Sequence, residues 1–297
     1  MQIAASELIL NPDGSIYHLH LRPENIAQTI ITVGDPDRVA DVSKHFDRIE
    51  FKTQKREFVT HTGYIGNLRL SVISTGIGTD NIDIVLNELD ALVNIDFETR
   101  TVKEKLTALN LIRIGTSGCL RPEIPVDSIL VSAMSMGMDG LLSFYKRKLS
   151  PTEAALQKEV EAFFRTESIP LSVHPQVAAA SDFWLNAFDK EGWHRGITIT
   201  ATGFYAPQSR ILRAASAYPS FLDQFESFAF NKLRFTNLEM ETAGIYGMAN
   251  ILGHQAISLN ALLANRPNGT FSKDPKAIVD KLIVESLEIL SALPKIP

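Results

Sequence analysis

Residues 29–46 read TIITVGDPDRVADVSKHF. The first five are β-branched and do not alternate with polar residues, the pattern of a strand covered on both faces. Gly34 ends that run. Asp35 then suits a helix cap and Pro36 its first turn, so a helix is expected from 35 to about 46. A buried strand feeding directly into a helix is the repeating unit of an α/β sheet. Working outward, runs at 68–74, 111–115, 128–134, 197–202 and 256–263 carry the same strand signal. Helical spacing falls between them. Residues 80–93 place Ile82, Val85, Leu86, Leu89 and Val93 on one face. Ser150-Pro151-Thr152-Glu153 is a capping signal for a helix to about 165. Helices are also expected at 241–252 and at 275–290, the last with a stripe of Ile278, Leu282, Val284, Leu287 and Ile289. The polar stretch 96–105 is too short to divide the chain, so one α/β domain with a mixed sheet is expected over 1–297.

Composition narrows the function classes. At 45% hydrophobic and 21% charged residues, disorder, collagen and coiled coil are disfavoured. A net charge of −5 gives no general attraction for nucleic acid or anionic lipid, so any bound anion needs a local cluster. The single cysteine, Cys119, rules out an internal disulfide and fits a reducing compartment. The first fifteen residues lack the basic and apolar regions of a secretory signal, and no apolar run approaches the ~18 residues of a membrane span. A cytoplasmic protein is expected. Asn268-Gly269-Thr270 then means only a turn. Walker-type, dinucleotide-type, HExxH and CxxC motifs are absent from the sequence.

The chemistry gathers at glycine turns near strand ends. At Gly34–Arg38 a helix N-terminus offers free N–H groups, and Arg38 adds a fork suited to phosphate; a plain turn with a solvated Arg38 competes. Arg113 stands inside an apolar strand, where an unpaired charge is costly, so it requires an internal carboxylate or a bound anion. After it, Gly115, Thr116, Ser117 and Gly118 read as a hydroxyl-rich loop. Ser74-Thr75-Gly76-Ile77-Gly78 is a further turn. Glu239 and Glu241 flank Met240 at a helix start, where a carboxylate either grips a cis-diol or simply favours the helix dipole. In Gly203–Arg210, Gln208 and Arg210 alternate across an extended segment beside Phe204 and Tyr205. Gln donates and accepts, Arg only donates, and Phe204 offers a stacking face, a set able to read a flat heterocycle. An aromatic surface loop is the alternative.

Each motif is weak alone, but their order is specific. YHLHL, VGDPDRV, REF, STGIG, IRIGTSG, FYAPQSR, LEMETA and ANRPNG occur in that sequence between residues 17 and 290. With them the chain resembles the nucleoside phosphorylase-I family, most closely its members that act on uridine. The resemblance implies a three-layer αβα domain whose mixed central sheet is partly barrel-like. It implies a phosphate site of Gly34, Arg38, Arg113 and Thr116, joined by Arg56 from a neighbouring subunit. It places Met240 and Glu241 on the ribose, with His18 reaching a neighbour's ribose. Ser117, Gly118, Phe204, Gln208 and Arg210 are expected around the base, with Arg266 closing the pocket from the side. Catalysis would fall to Arg113, Glu241, Gln208 and Arg210.

Purine-specific relatives carry an Asp after the late strand, where it can protonate the base. Here Ala264-Asn265-Arg266 has no carboxylate, which points to a pyrimidine. The implied reaction converts uridine and phosphate to uracil and ribose 1-phosphate in a homo-oligomer, dimer or hexamer, without nucleic acid or membrane partners. Phosphate is a co-substrate and no cofactor or resident metal is expected. Some relatives hold a monovalent cation between subunits, but this chain departs from them at Gly78-Thr79-Asp80-Asn81. The base loop also departs, with Ala206-Pro207. A purine phosphorylase, a hydrolytic nucleosidase and a silent nucleoside-binding relative are the rivals; retention of three arginines disfavours hydrolysis.

Overall fold

In the computed structural model, which describes residues 2–167, 169, 174–219, 221–294 and 296, the run quoted first forms β1 (Thr29–Val33), buried along its whole length. It lies between two parallel neighbours, β4 (Leu68–Ser74) and β7 (Asn110–Cys119). Covering on both faces is why its side chains show no polar alternation. Asp35 accepts the N–H of Asp37 at 3.0 Å, Pro36 takes the first position, and α1 (Pro36–Ser43) follows. That helix ends three residues short of 46, because the chain turns there into β2 (Arg48–Lys55).

β2 and β3 (Phe58–Ile65) form an antiparallel hairpin that pairs onward to β4. Neither strand stood out in the sequence. β2 is the sheet edge, largely exposed and rich in charge, which protects an edge but erases the apolar signal. After α2 (Thr79–Asn94), the polar stretch closes as a small ladder of β5 (Ile95–Asp96) with β6 (Thr101–Val102).

The remaining strands are β8 (Ile129–Gly137), β9 (Gln176–Ala179), β10 (His194–Thr200), β11 (Ala229–Phe230), β12 (Leu233–Glu239), β13 (Gln255–Asn265) and β14 (Thr270–Phe271). The sheet runs β11-β12-β10-β8-β13-β7-β1-β4-β3-β2, with β9 on β8 and β14 on β13. β12 also pairs antiparallel with β7, through Asn237 opposite Cys119 and Leu238 opposite Gly118. That last pairing closes β7, β13, β8, β10 and β12 into a five-stranded mixed barrel. The expected mixed, partly barrel-like α/β sheet is therefore present. One expectation is overturned. Residues 115–118 are strand, not loop, because β13 pairs with β7 along its full length and β12 seals its end.

Helices cover the sheet. α3 (Pro151–Thr166) has the expected capping box: Ser150 Oγ accepts the Glu153 N–H at 3.2 Å and the Glu153 carboxylate accepts the Ser150 N–H at 2.8 Å. The short α4 (Asp182–Ala187) was not expected; it buries Trp184 completely. α5 (Thr242–Leu252) is buried over its first eight residues and packs on α2 and on β8, β10 and β13. α6 (Pro275–Ala292) buries Ile278, Leu282, Ile283, Leu287 and Leu290. Val284 and Ile289, placed in that stripe from the sequence, face outward or sit at its margin. The 3.6-residue period assigns positions 283 and 290 instead. Among the described residues, no helix is long and apolar enough to cross a membrane.

Candidate active site at the barrel mouth

A cleft of about 750 Å³ opens where β1 and β12 end and where the second halves of β7 and β13 emerge. Open α/β sheets place ligands at such carboxyl ends. The cleft gathers Gly34, Arg38, Arg113, Thr116, Ser117, Gly118, Phe204, Gln208, Arg210, Met240 and Glu241 around one space.

One end is an ion cluster. Arg113 Nη2 lies 2.6 Å from Glu241 Oε2 and 3.1 Å from Glu239 Oε2, and Nη1 donates to Asn260 Oδ1 at 3.0 Å. The internal carboxylates thus supply the partner that a buried Arg113 demands. Its side chain folds back over Gly115, where a Cβ would overlap the guanidinium. Burial works against the Arg113 charge, but Glu239 and Glu241 outweigh it and hold the guanidinium above its ordinary value. Glu239 also accepts from Thr200 Oγ1 at 2.6 Å and from the N–H groups of Glu241 and Thr242 at 2.9 Å. It therefore caps α5. Burial, with Glu241 beside it, pushes the Glu239 carboxyl up despite Arg113. Glu241 Oε1 accepts the Gly78 N–H at 2.8 Å, tying the STGIG turn to the cluster. Arg38 stands at the start of α1 with Nη1 3.5 Å from the Ile114 carbonyl. Burial lowers Arg38, and nearby Asp35 partly offsets this.

The other end is a turn. Gln208 and Arg210 do not alternate along an extended segment, as expected, but close a single 3-10 turn (Ala206–Gln208). Pro207 is the second residue of that turn, and Ser209 at φ 51° redirects the chain. The redirection brings Arg210 Nη1 onto Gln208 Oε1 and the Arg210 guanidinium 3.9 Å over the Phe204 ring. Burial, reinforced by Arg266, pushes Arg210 down to about 10.

Three expected residues lie outside this space. Arg266 does not close the pocket: Nη1 and Nη2 donate to the carbonyls of Gln208 and Ser209 at 3.0 and 3.1 Å, so it holds the loop from behind. There it lines a separate cavity of about 270 Å³. Arg56 is exposed at the β2–β3 turn with φ 54°. His18 Nδ1 is 2.6 Å from Glu88 on α2. Asn265 is buried, and its amide is spent on the carbonyls of Arg121 and Ile124 at 2.9 and 2.7 Å. Sequence reading misses Asn260 and notes Glu239 beside Met240 without giving it a place in the site. Both are polar residues in buried strands, the same anomaly that marked Arg113. Reading the three as one charge-balanced set would have found them. Glu57, Asn81 and Phe271 also line the cleft, and no sequence signal singled them out for it.

A family model described as the phosphorylase superfamily matches residues 28–293. The chain belongs to the phosphorylase superfamily. Among its relatives, the uridine phosphorylase of Thermococcus kodakarensis is 28% identical, over 94% of this chain and 88% of that protein. The uridine phosphorylase of Haemophilus influenzae is 25% identical, over 93% of this chain and 99% of its own. A solved Trypanosoma brucei nucleoside phosphorylase that shows uridine phosphorylase activity superposes with a TM-score of 0.84 at 27% identity, covering 97% of this chain and all of that one. An oomycete uridine phosphorylase from Phytophthora capsici, at 21% identity and a TM-score of 0.70, shares the superfamily fold.

Proposed function

We propose that this phosphorylase cleaves uridine with phosphate, giving uracil and ribose 1-phosphate. The reading is carried by one observation. A single cleft holds two arginines beside a diol-binding carboxylate at one end, and a paired Gln208 and Arg210 at the other. Arg38 and Arg113 gather phosphate although the whole chain is acidic. Glu241 takes the ribose hydroxyls. Phosphate held against C1′ stabilises the positive charge that grows as the C1′–N1 bond stretches, and then forms the C1′–O bond. Uracil leaves with the electron pair, and Gln208 and Arg210 meet its charge before it takes a proton from water. The absence of a carboxylate at Asn265, and the spending of its amide elsewhere, support a base that needs no proton from the protein.

The family resemblance gives His18 and Arg56 to the cleft of a second copy, and their position outside their own chain's cleft is consistent with this. Arg56→Ala should weaken phosphate binding about tenfold, the worth of one charge-assisted bond. Unchanged affinity removes the second copy from the reading. The lone cysteine supports a reducing, cytoplasmic setting, and release of uracil from uridine fits a role in pyrimidine salvage. No cofactor enters the mechanism. Assays with and without potassium test the monovalent cation.

The deciding experiment is uracil release from uridine with and without phosphate, with inosine in parallel. Phosphate-dependent release from uridine alone is expected. Release from inosine, or release without phosphate, overturns the pyrimidine or the phosphorolytic part of the reading.

A further inference from the structure

The interior of the five-stranded barrel is hydrogen-bonded. Four of its strands each send in a fully buried polar side chain: Ser132 from β8, Thr198 from β10, Asn237 from β12 and Asn260 from β13. The fifth, β7, contributes Arg113 at one point and Ser117 four residues on. Together they make one continuous chain. Arg113 Nη1 is 3.0 Å from Asn260 Oδ1, and Asn260 Nδ2 is 3.1 Å from Ser132 Oγ. Ser132 Oγ meets Thr198 Oγ1. Thr198 Oγ1 is 2.7 Å from Asn237 Oδ1, and Asn237 Nδ2 is 2.9 Å from Ser117 Oγ. Ser117 lines the cleft.

The direction of this chain follows from what each group can do. A guanidinium only donates, so the Asn260 carbonyl must face Arg113 and its NH₂ must face Ser132. Ser132 then accepts from Asn260 and gives its own proton to Thr198. Thr198 donates to Asn237, and Asn237 donates to Ser117. Turning Asn237 around would strand one hydroxyl proton, on Ser132 or on Thr198, buried and without an acceptor in the chain, which folded proteins avoid. Ser117 therefore ends the chain as an acceptor, and its proton is left for the cleft. Every dipole points away from the Arg113 cation, and aligned bonds strengthen one another.

We propose that Ser117 is a further catalytic residue, donating its O–H to a carbonyl oxygen of the departing base, with Asn237 and Asn260 as positioning residues that orient it. The proposal rests on the uridine reading above. Its place is in the same cleft as the base turn, which Ser117 lines together with Gln208 and Arg210. When the C1′–N1 bond breaks, its electron pair spreads onto the ring carbonyls. A donor whose other bond is already fixed by Asn237 can turn its proton to that charge with little reorganisation. The Ser117 proton is shared and not transferred.

The test compares kcat on uridine and on 5-fluorouridine, whose base is a better leaving group and needs the donor less. Ser117→Ala should lower kcat on uridine about 100-fold, as loss of an oxyanion donor does. The loss on 5-fluorouridine should be clearly smaller, the KM for phosphate unchanged, and Ser117→Thr should restore the rate. Asn237→Leu should lower kcat yet add nothing on top of Ser117→Ala, the signature of one shared path. Should Asn237→Leu fail to fold, the Ala and Thr variants at 117 decide. Equal losses on the two nucleosides, or losses that multiply in the double variant, overturn the proposal. A wild-type enzyme that releases no uracil with phosphate removes the underlying reading instead, and the proposal falls with it.

Discussion

At one end of the cleft, Arg113, Glu239 and Glu241 are almost sealed, with side chains 6%, 2% and 7% exposed. They stand on β7, at the end of β12 and at the cap of α5, and they satisfy one another. At the other end, Gln208 and Arg210 sit on a single turn beside Phe204 and Tyr205, whose rings are half exposed. The first group cannot shift without disturbing the barrel. The second is held by Arg266 reaching over from the end of β13. The difference teaches where each kind of change is tolerated. On the proposed reading, the phosphate and ribose groups are built into strands, and Gln208 and Arg210 hang on a turn that can vary while the fold stays.

The sharpest way to break this comparison is Arg113→Ala. It leaves two buried carboxylates without their cation, so unfolding free energy should fall by about 3–5 kcal/mol as activity is lost. A variant as stable as wild type in a urea titration would mean the cluster is not what holds this end. Next, Glu241→Ala should cost uridine about 100-fold in kcat/KM through lost charge-assisted bonds, and 2′-deoxyuridine clearly less. An equal loss on both would detach Glu241 from the 2′-hydroxyl. At the turn, Gln208→Ala should cost roughly 10–100-fold in kcat/KM for uridine, with phosphate affinity and melting temperature nearly unchanged. A melting temperature as low as that of the Arg113 variant would erase the contrast. The smallest effect is expected from Arg266→Ala, about tenfold in kcat/KM by loosening the turn. No effect there would show that Arg210 and Pro207 hold the turn unaided.

What the sequence disclosed follows the same division. β1, β4, the α3 capping box and the α2 stripe were legible because burial on both faces or on one stripe leaves a simple pattern. Arg113 was legible as an anomaly that needed a partner. The partner itself was not, since nothing local says that β12 crosses to β7 and brings Glu239 alongside. The β2–β3 hairpin escaped because an edge strand is coded in charge. Residues 115–118 passed for a loop because their small and hydroxylated side chains serve the cleft and the barrel interior at the expense of strand propensity. The turn at Gln208 was misjudged because the left-handed Ser209 carries no local mark. Arg266 is placed at the pocket by the family resemblance, and its two carbonyl contacts tie it to the turn.

The arginine lying over Gly115 has a consequence for how this chain can change over time. Positions 113 and 115 behave as one inherited unit. A side chain at 115 is admissible only if the guanidinium moves away, and moving it loosens its hold on Glu239 and Glu241. No single-step path through an alanine at 115 keeps the guanidinium in place. A mutational library that randomises 115 while holding Arg113 should therefore return glycine, and one that randomises both should find other residues at 115 only in inactive clones.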